Sequence, residues 1–208
     1  HGTSRRQRQM CIRDSHFAMN GISFWEEFGP SALTAKIRAE GMYNFGPSLS
    51  PNNAFYILQG IETLSLRMKK HIENTKMMLE FLKENESVSW LRHPDLEDHP
   101  DHKIAKKILP LGSGSIIVFG IKGGRDAGKA FIENVKLSSH LANVGDAKTL
   151  LIHPGSTTHS HLSSEAMKMS GLTDDMIRLS VGLEDIEDIK IDFEKGFKAA
   201  AKISSNKS

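Results

Sequence analysis

The residue most suited to chemistry is Arg178, which interrupts the mostly apolar segment Met176–Val181. Alternate residues of a strand point to opposite faces, so Ile177 and Leu179 face one way and Arg178 the other. An arginine on a solvated face needs no partner, whereas a desolvated one does, and its planar guanidinium suits a carboxylate. The strand by itself favours the solvated face. The polar segment 143–160 is the candidate second wall of a pocket.

A second segment, Gly123–Lys129 (GGRDAGK), matches the GxxxxGK spacing of a phosphate-binding loop. Such a loop needs a serine or threonine at the next position to bind magnesium, and Ala130 cannot do this. Arg125 and Asp126 are also typical of the first turn of a helix, which leaves too little loop to surround a phosphate. The pattern therefore favours an ordinary strand–turn–helix over a nucleotide site.

Four histidines lie close in the sequence, at His140, His153, His159 and His161. A zinc site needs three or four converging ligands, but this spacing matches no familiar metal pattern and no cysteine is near. We interpret them as polar loop residues and predict no metal site. The sequence also contains no GxSxG, Cys/His pair or HExxH motif, so it supplies no nucleophile with an adjacent base.

The composition indicates a globular protein in a reducing compartment. The 208 residues are 38% apolar and 25% charged, with a formal net charge of +2. This near-balance gives no electrostatic reason to expect nucleic acid or an anionic membrane as a partner. No apolar run approaches the ~20 residues of a membrane span, and the single cysteine, Cys11, excludes an internal disulfide. We therefore expect a cytoplasmic protein.

The first 15 residues show no pattern that predicts a fold. Segment Arg5–Ser15 has four arginines in eleven residues, no usable periodicity and no continuity with the aromatic-rich segment after it. It resembles a translated sequencing adapter, so we expect residues 1–15 to be a non-native leader.

The elements that would position the arginine can be predicted from periodicity. Ser50 and Pro51 favour the start of a helix, and apolar residues recur at helical spacing as far as Asn85, which predicts one long helix. Before it, Phe17–Phe28 is typical of a loop, and Ser31–Gly41 is typical of a helix that ends at its glycine.

After the long helix, strands and helices interleave. The predicted strands are Val88–Leu91, Ser115–Lys122, Val135–Ser138, Thr149–Ile152 and Met176–Val181. The predicted helices are His102–Ile108, Arg125–Asn134 and Ile186–Ala201. Several connections are too short for a repeated βαβ array. We therefore predict an α/β fold with a small, mostly antiparallel sheet and helices on one face.

Three ordered segments resemble a known family. They are Ser139–Leu150 (SHLANVGDAKTL), His153–Ser160 (HPGSTTHS) and Met176–Glu184 (MIRLSVGLE), with support from Ser50–Phe55 and Gly60–Arg67. Their order and spacing are similar to the C-terminal part of the Cys/Met-metabolism pyridoxal-phosphate enzymes, over about residues 16 to 201. Within that family they are most similar to the sulfhydrylases that act on O-acetylhomoserine.

The resemblance implies that this chain is the C-terminal part of a type I PLP-dependent, aminotransferase-like fold. The large domain would carry pyridoxal 5'-phosphate on a lysine, and the small C-terminal domain would hold the α-carboxylate of the substrate. Residues 16–50 would be a remnant of the PLP-binding large domain. Residues 51–208 would form the small domain together with its long connecting helix.

The resemblance also implies roles for three residues. Arg178 falls on the family's carboxylate-binding arginine, which reverses the preference drawn from the strand alone. Asn143 falls on a position of the same pocket where relatives often have serine. Thr158 is a third candidate for substrate binding.

The family's cofactor-bearing lysine is missing from the sequence. In relatives it lies in a Ser-x-Thr-Lys segment followed by Gly-Gly-His-Gly-Thr, and His1–Ser4 is similar to the end of that segment. Asn74-Thr75-Lys76 is similar to its beginning but falls inside the predicted long helix. We therefore expect this chain alone to be inactive.

The chemistry that the resemblance implies is transfer onto an amino-acid substrate. The cofactor withdraws electrons from the substrate, so acetate leaves the γ carbon and sulfide or a thiol takes its place. The product would enter homocysteine and methionine biosynthesis, and the intact enzyme would be a homotetramer. A cystathionine γ-synthase or γ-lyase of the same family, and a non-catalytic binding module, remain alternatives.

Overall fold

The computed structural model describes residues 15–16, 20–157, 169 and 171–205. The chain divides into two compact units, His1–Gln59 and Gly60–Ser208. Arg178 lies in the second unit. The domain boundaries expected at residues 15 and 50 stay a prediction.

The described residues of the first unit are mainly helical. Strands β1 (Ser15–His16) and β2 (Ile22–Ser23) pair antiparallel. They are followed by helix α1 (Phe24–Phe28), a 3-10 turn (Gly29–Ser31), α2 (Ala32–Lys36), a π-helical segment (Ile37–Met42) and α3 (Tyr43–Phe45).

Two local predictions for this unit are wrong. The end of the predicted loop Phe17–Phe28 is helix α1, because Ser23 caps it and accepts a hydrogen bond from the Glu26 N–H at 3.4 Å. The helix expected to end at Gly41 continues to Phe45. It ends there because Gly46, with φ of 54°, adopts the left-handed conformation that terminates helices.

The predicted long helix is divided in two. Helix α4 covers Pro51–Glu62, α5 covers Leu64–Glu84, and Thr63 separates them. The start is as predicted, since Ser50 Oγ accepts from the Asn53 N–H at 3.2 Å. At the break, the Arg67 guanidinium donates to the carbonyl of Gly60, a group that lost its helical partner.

The second unit is built around a four-stranded antiparallel sheet of order β3-β4-β6-β5. The strands are β3 (Val88–Arg92), β4 (Ile116–Ile121), β5 (Leu150–Ile152) and β6 (Met176–Ser180). The helices after α5 are α6 (His102–Ile108), α7 (Gly124–Asn134) and α8 (Ile186–Ser205), with a 3-10 turn at Pro154–Ser156. The predicted α/β class with a small antiparallel sheet is confirmed.

The segment Val135–Ser138 is not the strand that was predicted. The backbone N–H groups of its last three residues donate to the buried carboxylate of Asp192 in α8, at 2.7, 3.0 and 3.1 Å. These groups are therefore unavailable to a neighbouring strand. After α7, the chain returns to the sheet at an isolated bridge between Ser139 and Leu150.

One face of the sheet carries the hydrophobic core. The core-facing residues of β4 and β6 are at most 1% exposed: Ile117, Phe119, Ile121, Ile177 and Leu179. Helices α5, α7 and α8 contribute to the same core. Four phenylalanines join β4, α7 and α8, with ring centroids 4.8 to 6.5 Å apart: Phe119, Phe131, Phe193 and Phe197. The opposite face of the sheet carries Arg178.

Candidate functional site

Arg178 lies at the middle of β6, an interior strand of the sheet. Its cross-strand neighbours are Val118 on β4 and Ile152 on β5, so its stem emerges between two branched apolar residues. The side chain is half-buried. Within the described residues its guanidinium makes one hydrogen bond, from Nη2 to the Asn143 carbonyl oxygen at 3.1 Å.

The remaining donors of this guanidinium are available for a ligand. Among the described residues, no carboxylate lies within 4.0 Å of Arg178. Arginine has five N–H donors in a fixed plane, and two parallel ones fit the two oxygens of a carboxylate. The site can therefore hold a carboxylate in a defined orientation.

Asn143 opens a loop, residues 143–149, that leads into β5. Its Oδ1 accepts from the Val144 N–H at 2.9 Å, and its Nδ2 donates to Asp146 at 3.3 Å. The side chain thus bonds within its own loop, and the backbone carbonyl is what meets Arg178. Asp146 also accepts from the Lys148 N–H at 3.0 Å, and this bond is the main cause that lowers the pKa of the Asp146 carboxyl.

The far end of the same loop is fixed by Glu184. One carboxylate oxygen of Glu184 accepts from the Thr149 N–H and the other from the Thr149 hydroxyl, both at 2.8 Å. The Thr149 hydroxyl in turn accepts from the Gly182 N–H at 2.9 Å. The Leu183 N–H donates to the Ala147 carbonyl at 2.8 Å. These bonds join the start of β5 to the residues after β6.

Helix α5 holds these residues from the other side. The buried Asn74 donates through Nδ2 to the carbonyls of Gly182 and Glu184, at 3.0 and 2.9 Å. The Nδ1 atom of His71, also buried, lies 2.7 Å from the carbonyl of Val181. A carbonyl only accepts, so this nitrogen carries the proton. The turn after β6 is therefore fixed on both sides.

The glycine-rich segment 123–129 is the strand–turn–helix that was expected. Strand β4 ends at Ile121 and α7 begins at Gly124, so only two residues separate them. The Arg125 guanidinium is used within the fold, where Nη2 donates to the Gly155 carbonyl at 2.7 Å. Lys129 is exposed and lies 3.8 Å from Glu133. This arrangement leaves no loop long enough to surround a phosphate.

The histidine-rich stretch does not converge where it is described. His153 is fully buried, with Nε2 at 2.8 Å from the Asp174 carbonyl and Nδ1 at 2.8 Å from Ser156 Oγ. Burial lowers the pKa of His153 below its ordinary 6.5. His140 is exposed, and His159, His161 and the candidate binding residue Thr158 lie outside the described residues. In the described part of the chain no three potential ligands group around a metal position.

Residues 14–198 match the family of Cys/Met metabolism PLP-dependent enzymes. The chain belongs to this family. The resemblance drawn from the motifs is thereby confirmed. Over 176 residues this Cys/Met-metabolism chain is 46% identical to O-acetyl-L-homoserine sulfhydrylase 1 of Thermus thermophilus, a match that covers 85% of this chain and 42% of the relative.

Two solved structures of the family share the fold. A Campylobacter jejuni protein assigned as an O-acetylhomoserine (thiol)-lyase has a TM-score of 0.75 and 29% sequence identity. The match covers 90% of this chain and 44% of the Campylobacter jejuni chain. Cystathionine gamma synthase of Xanthomonas oryzae pv. oryzae has a TM-score of 0.70 and 31% sequence identity. The match covers 84% of this chain and 43% of the synthase chain. The Cys/Met-metabolism chain thus spans less than half the length of these relatives.

The family depends on PLP, and the Campylobacter jejuni structure carries pyridoxyl-lysine 5'-monophosphate. A lysine that bonds to such a cofactor is activated by desolvation or by a nearby cation. In the described part of this Cys/Met-metabolism chain no lysine is buried, and Lys76, which resembles the family motif, is exposed on α5. The described residues can therefore hold a carboxylate, but they do not fit the covalent attachment of PLP.

The structure brings together two of the three predicted binding residues, Arg178 and Asn143, although through the backbone of Asn143. The sequence did not reveal Thr149 and Glu184, whose hydrogen bonds fix the loop 143–149 beside Arg178. The sequence contained one usable signal, because Thr149 and Glu184 are both polar residues that lie close to the end of a buried strand. Such residues are expected to bond the backbone groups that the strand leaves unpaired.

Proposed function

We propose that this chain is the substrate-binding, C-terminal part of a PLP-dependent transferase that replaces the acetate of O-acetylhomoserine with sulfide or a thiol. The observation that carries the proposal is the half-buried Arg178, which uses one donor on the Asn143 carbonyl and keeps the others available. The 46% identity to a Thermus thermophilus O-acetyl-L-homoserine sulfhydrylase supports the choice of substrate and the place in methionine biosynthesis.

In this proposal Arg178 binds the α-carboxylate of the substrate through two parallel hydrogen bonds. The Asn143 carbonyl fixes one N–H and thereby the plane of the guanidinium, so the substrate is held in one orientation. Val118 and Ile152 flank the arginine stem and limit water beside the ion pair, which strengthens it. Thr158 remains proposed as a further binding residue.

The chain by itself is proposed to be inactive. The electron withdrawal that lets acetate leave is supplied by PLP, and no described lysine is placed to hold that cofactor. What the described residues supply is the binding and orientation of the substrate. Catalysis then requires the cofactor-bearing part that the longer relatives possess.

A cystathionine γ-synthase, acting in transsulfuration, is the second candidate. The likeness to the Xanthomonas oryzae enzyme favours it, at 31% identity and a TM-score of 0.70. Both reactions use an amino acid with an α-carboxylate, so the Arg178 site serves either. The co-substrate separates them: the sulfhydrylase takes sulfide, and the synthase takes cysteine.

The intact enzyme is proposed to be a cytoplasmic homotetramer. Helix α4 carries five large apolar residues that are 52% to 71% exposed: Phe55, Tyr56, Ile57, Leu58 and Ile61. Such a helix is stable in water only when other protein surface covers it. None of the described helices is long and apolar enough to cross a membrane. Light scattering of the purified full-length enzyme measures the assembly.

The test is to recover the complete reading frame and assay the full-length enzyme with O-acetyl-L-homoserine and sulfide. We expect an upstream Ser-x-Thr-Lys segment, and release of acetate with formation of homocysteine. Preference for cysteine over sulfide would select the second candidate. An upstream sequence without such a lysine would contradict both. Amino-acid binding without turnover would identify a binding module instead.

A further inference from the structure

In the described part of the chain, the hydrogen bonds of the Glu184 carboxylate all go to one residue, Thr149, at the start of β5. It is half-buried, and within the described residues no lysine, arginine or histidine nitrogen lies within 4.0 Å of it. Both of its oxygens accept instead from Thr149, a residue 35 positions away in the sequence. Hydrogen bonds from a backbone N–H and a hydroxyl to a carboxylate stabilise one arrangement of the residues before β5 and after β6.

The segment that Glu184 holds is the loop that meets Arg178. Thr149 closes the loop 143–149 and Asn143 opens it, and the Asn143 carbonyl accepts from the guanidinium. The residue after Thr149 begins β5, in which Ile152 lies directly opposite Arg178. Glu184 thus fixes both the loop and the edge strand beside the arginine.

The place of Glu184 is itself tightly determined. The Asn74 side chain on α5 holds its backbone carbonyl at 2.9 Å. A Cβ atom added at Gly182 would collide with the Glu184 carboxylate and with the backbone of Lys148 and Thr149. The Glu184 carboxylate and the backbone of the loop are therefore both packed closely against Gly182.

The geometry points to Glu184 as a positioning residue that, through Thr149, holds the Asn143 carbonyl where it orients Arg178 for the substrate carboxylate. This inference rests on the proposed function. Loss of the Glu184–Thr149 bonds frees the loop, so Arg178 loses a fixed plane but keeps its charge. Binding of ligands that carry an α-carboxylate weakens, and binding of ligands without one does not.

The test compares Glu184→Ala with wild type in the full-length enzyme. We expect the KM for O-acetyl-L-homoserine to rise about ten-fold, equivalent to about 1.4 kcal/mol, with kcat and the KM for sulfide little changed. Glu184→Gln should restore most of the affinity, because its amide can accept from the Thr149 N–H and donate to the Thr149 hydroxyl. Glu133→Ala, a change at an exposed glutamate of α7, is the matched control.

A pair of ligands separates positioning from general damage. L-homoserine carries the α-carboxylate, and 3-aminopropan-1-ol is the same amine without it. Their affinities are measured from the change in cofactor absorbance, which does not require turnover. Glu184→Ala should weaken the binding of homoserine about ten-fold and leave the affinity for the aminoalcohol unchanged. Equal weakening of both ligands, or no weakening of homoserine, overturns the inference.

A second pair of variants covers the case in which Glu184→Ala does not fold. Thr149→Val removes the hydroxyl at nearly constant shape, and Thr149→Ser keeps it. We expect the valine variant, and not the serine variant, to show the selective loss of homoserine affinity; identical behaviour of the two overturns the inference. Failure of the proposed function gives a different result: the wild-type enzyme would then form no product from O-acetyl-L-homoserine.

Discussion

Nη2 of Arg178 donates to the backbone carbonyl oxygen of Asn143 at 3.1 Å, across 35 positions of sequence. A carbonyl oxygen orients an arginine without pairing with its charge, whereas a carboxylate in the same place would occupy the two parallel donors. The arginine therefore keeps its full charge and its remaining donors. The stability of this arrangement depends both on the loop that carries Asn143 and on the core beneath the sheet.

Substitution of Arg178 should abolish most of the substrate binding. For Arg178→Ala in the full-length enzyme we expect kcat/KM for O-acetyl-L-homoserine to fall by about 100-fold or more, because two charge-assisted hydrogen bonds are lost. Cofactor absorbance should be retained. Arg178→Lys should recover little, since an ammonium group cannot form the paired bonds. Arg92→Ala, at an exposed arginine of β3, is the control, and unchanged kinetics for Arg178→Ala would contradict the role of the arginine.

Substitution of the Asn143 side chain should cost less. Its contact with Arg178 is made by the backbone, which every residue supplies, so Asn143→Ser should raise the KM by less than about ten-fold. The remaining loss reflects the bonds of the side chain to Val144 and Asp146. Steady-state kinetics of the two variants side by side decide the point. A loss as large as that of Arg178→Ala would mean that the side chain itself binds the substrate.

Removal of the Asp192 carboxylate should destabilise the second unit. Asp192 is 2% exposed and accepts three backbone N–H bonds, which Asp192→Ala would leave without their acceptor. We expect the free energy of unfolding to fall by about 3 kcal/mol in urea titrations of this chain. Glu194→Ala, at an exposed position of the same helix, should change it by less than about 0.5 kcal/mol. Equal effects of the two variants would show that the buried bonds add nothing.

Two glycine-to-alanine changes in helices should affect the stability of the chain differently. Alanine normally stabilises a helix relative to glycine by about 1 kcal/mol. At Gly128 in α7, however, a Cβ would lie 2.7 Å from Nε2 of the buried His153, so Gly128→Ala should destabilise the chain. At Gly60 in α4 nothing lies within 4 Å, so Gly60→Ala should be neutral or stabilising. Thermal unfolding of both variants tests the contrast, and stabilisation by Gly128→Ala would contradict the packing.

His153 should make stability depend on pH in mildly acidic solution. Burial lowers its folded-state pKa below the ordinary 6.5, so the unfolded chain binds the proton more readily. Its contribution to stability is complete above about pH 6.5 and is lost as the pH falls through the lowered folded-state pKa.

The measurement for His153 is urea unfolding at about pH 7.5 and about pH 5. His153→Gln keeps an amide donor for the Asp174 carbonyl but does not titrate, so it should lose less stability between these pH values than wild type. His140→Gln, at an exposed histidine, should behave as wild type. An equal loss of stability in wild type and His153→Gln between these pH values would exclude His153 as the source of the pH dependence.

Much of the site could be predicted from the sequence because its signals are local. The alternation in Met176–Val181 placed Arg178 opposite the core-facing residues, and the structure has Ile177 and Leu179 fully buried. The strand could not show whether the arginine had a partner. That depended on residues 35 positions away, which periodicity does not report. The assignment of Arg178, Asn143 and Thr158 as binding residues stays a prediction for mutagenesis to test.

The wrong prediction of a strand at Val135–Ser138 has the same physical origin, a bonding partner that lies far away in the sequence. The sequence determined the family, the antiparallel α/β sheet and the position of most strands, since these depend on apolar period and ordered motifs. Only the tertiary structure decided that Val135–Ser138 gives its N–H groups to Asp192 rather than to a strand. It alone decided that Glu184 reaches Thr149. Both are hydrogen bonds of a carboxylate to a distant segment of the chain, and their partners are chosen by packing rather than by local pattern.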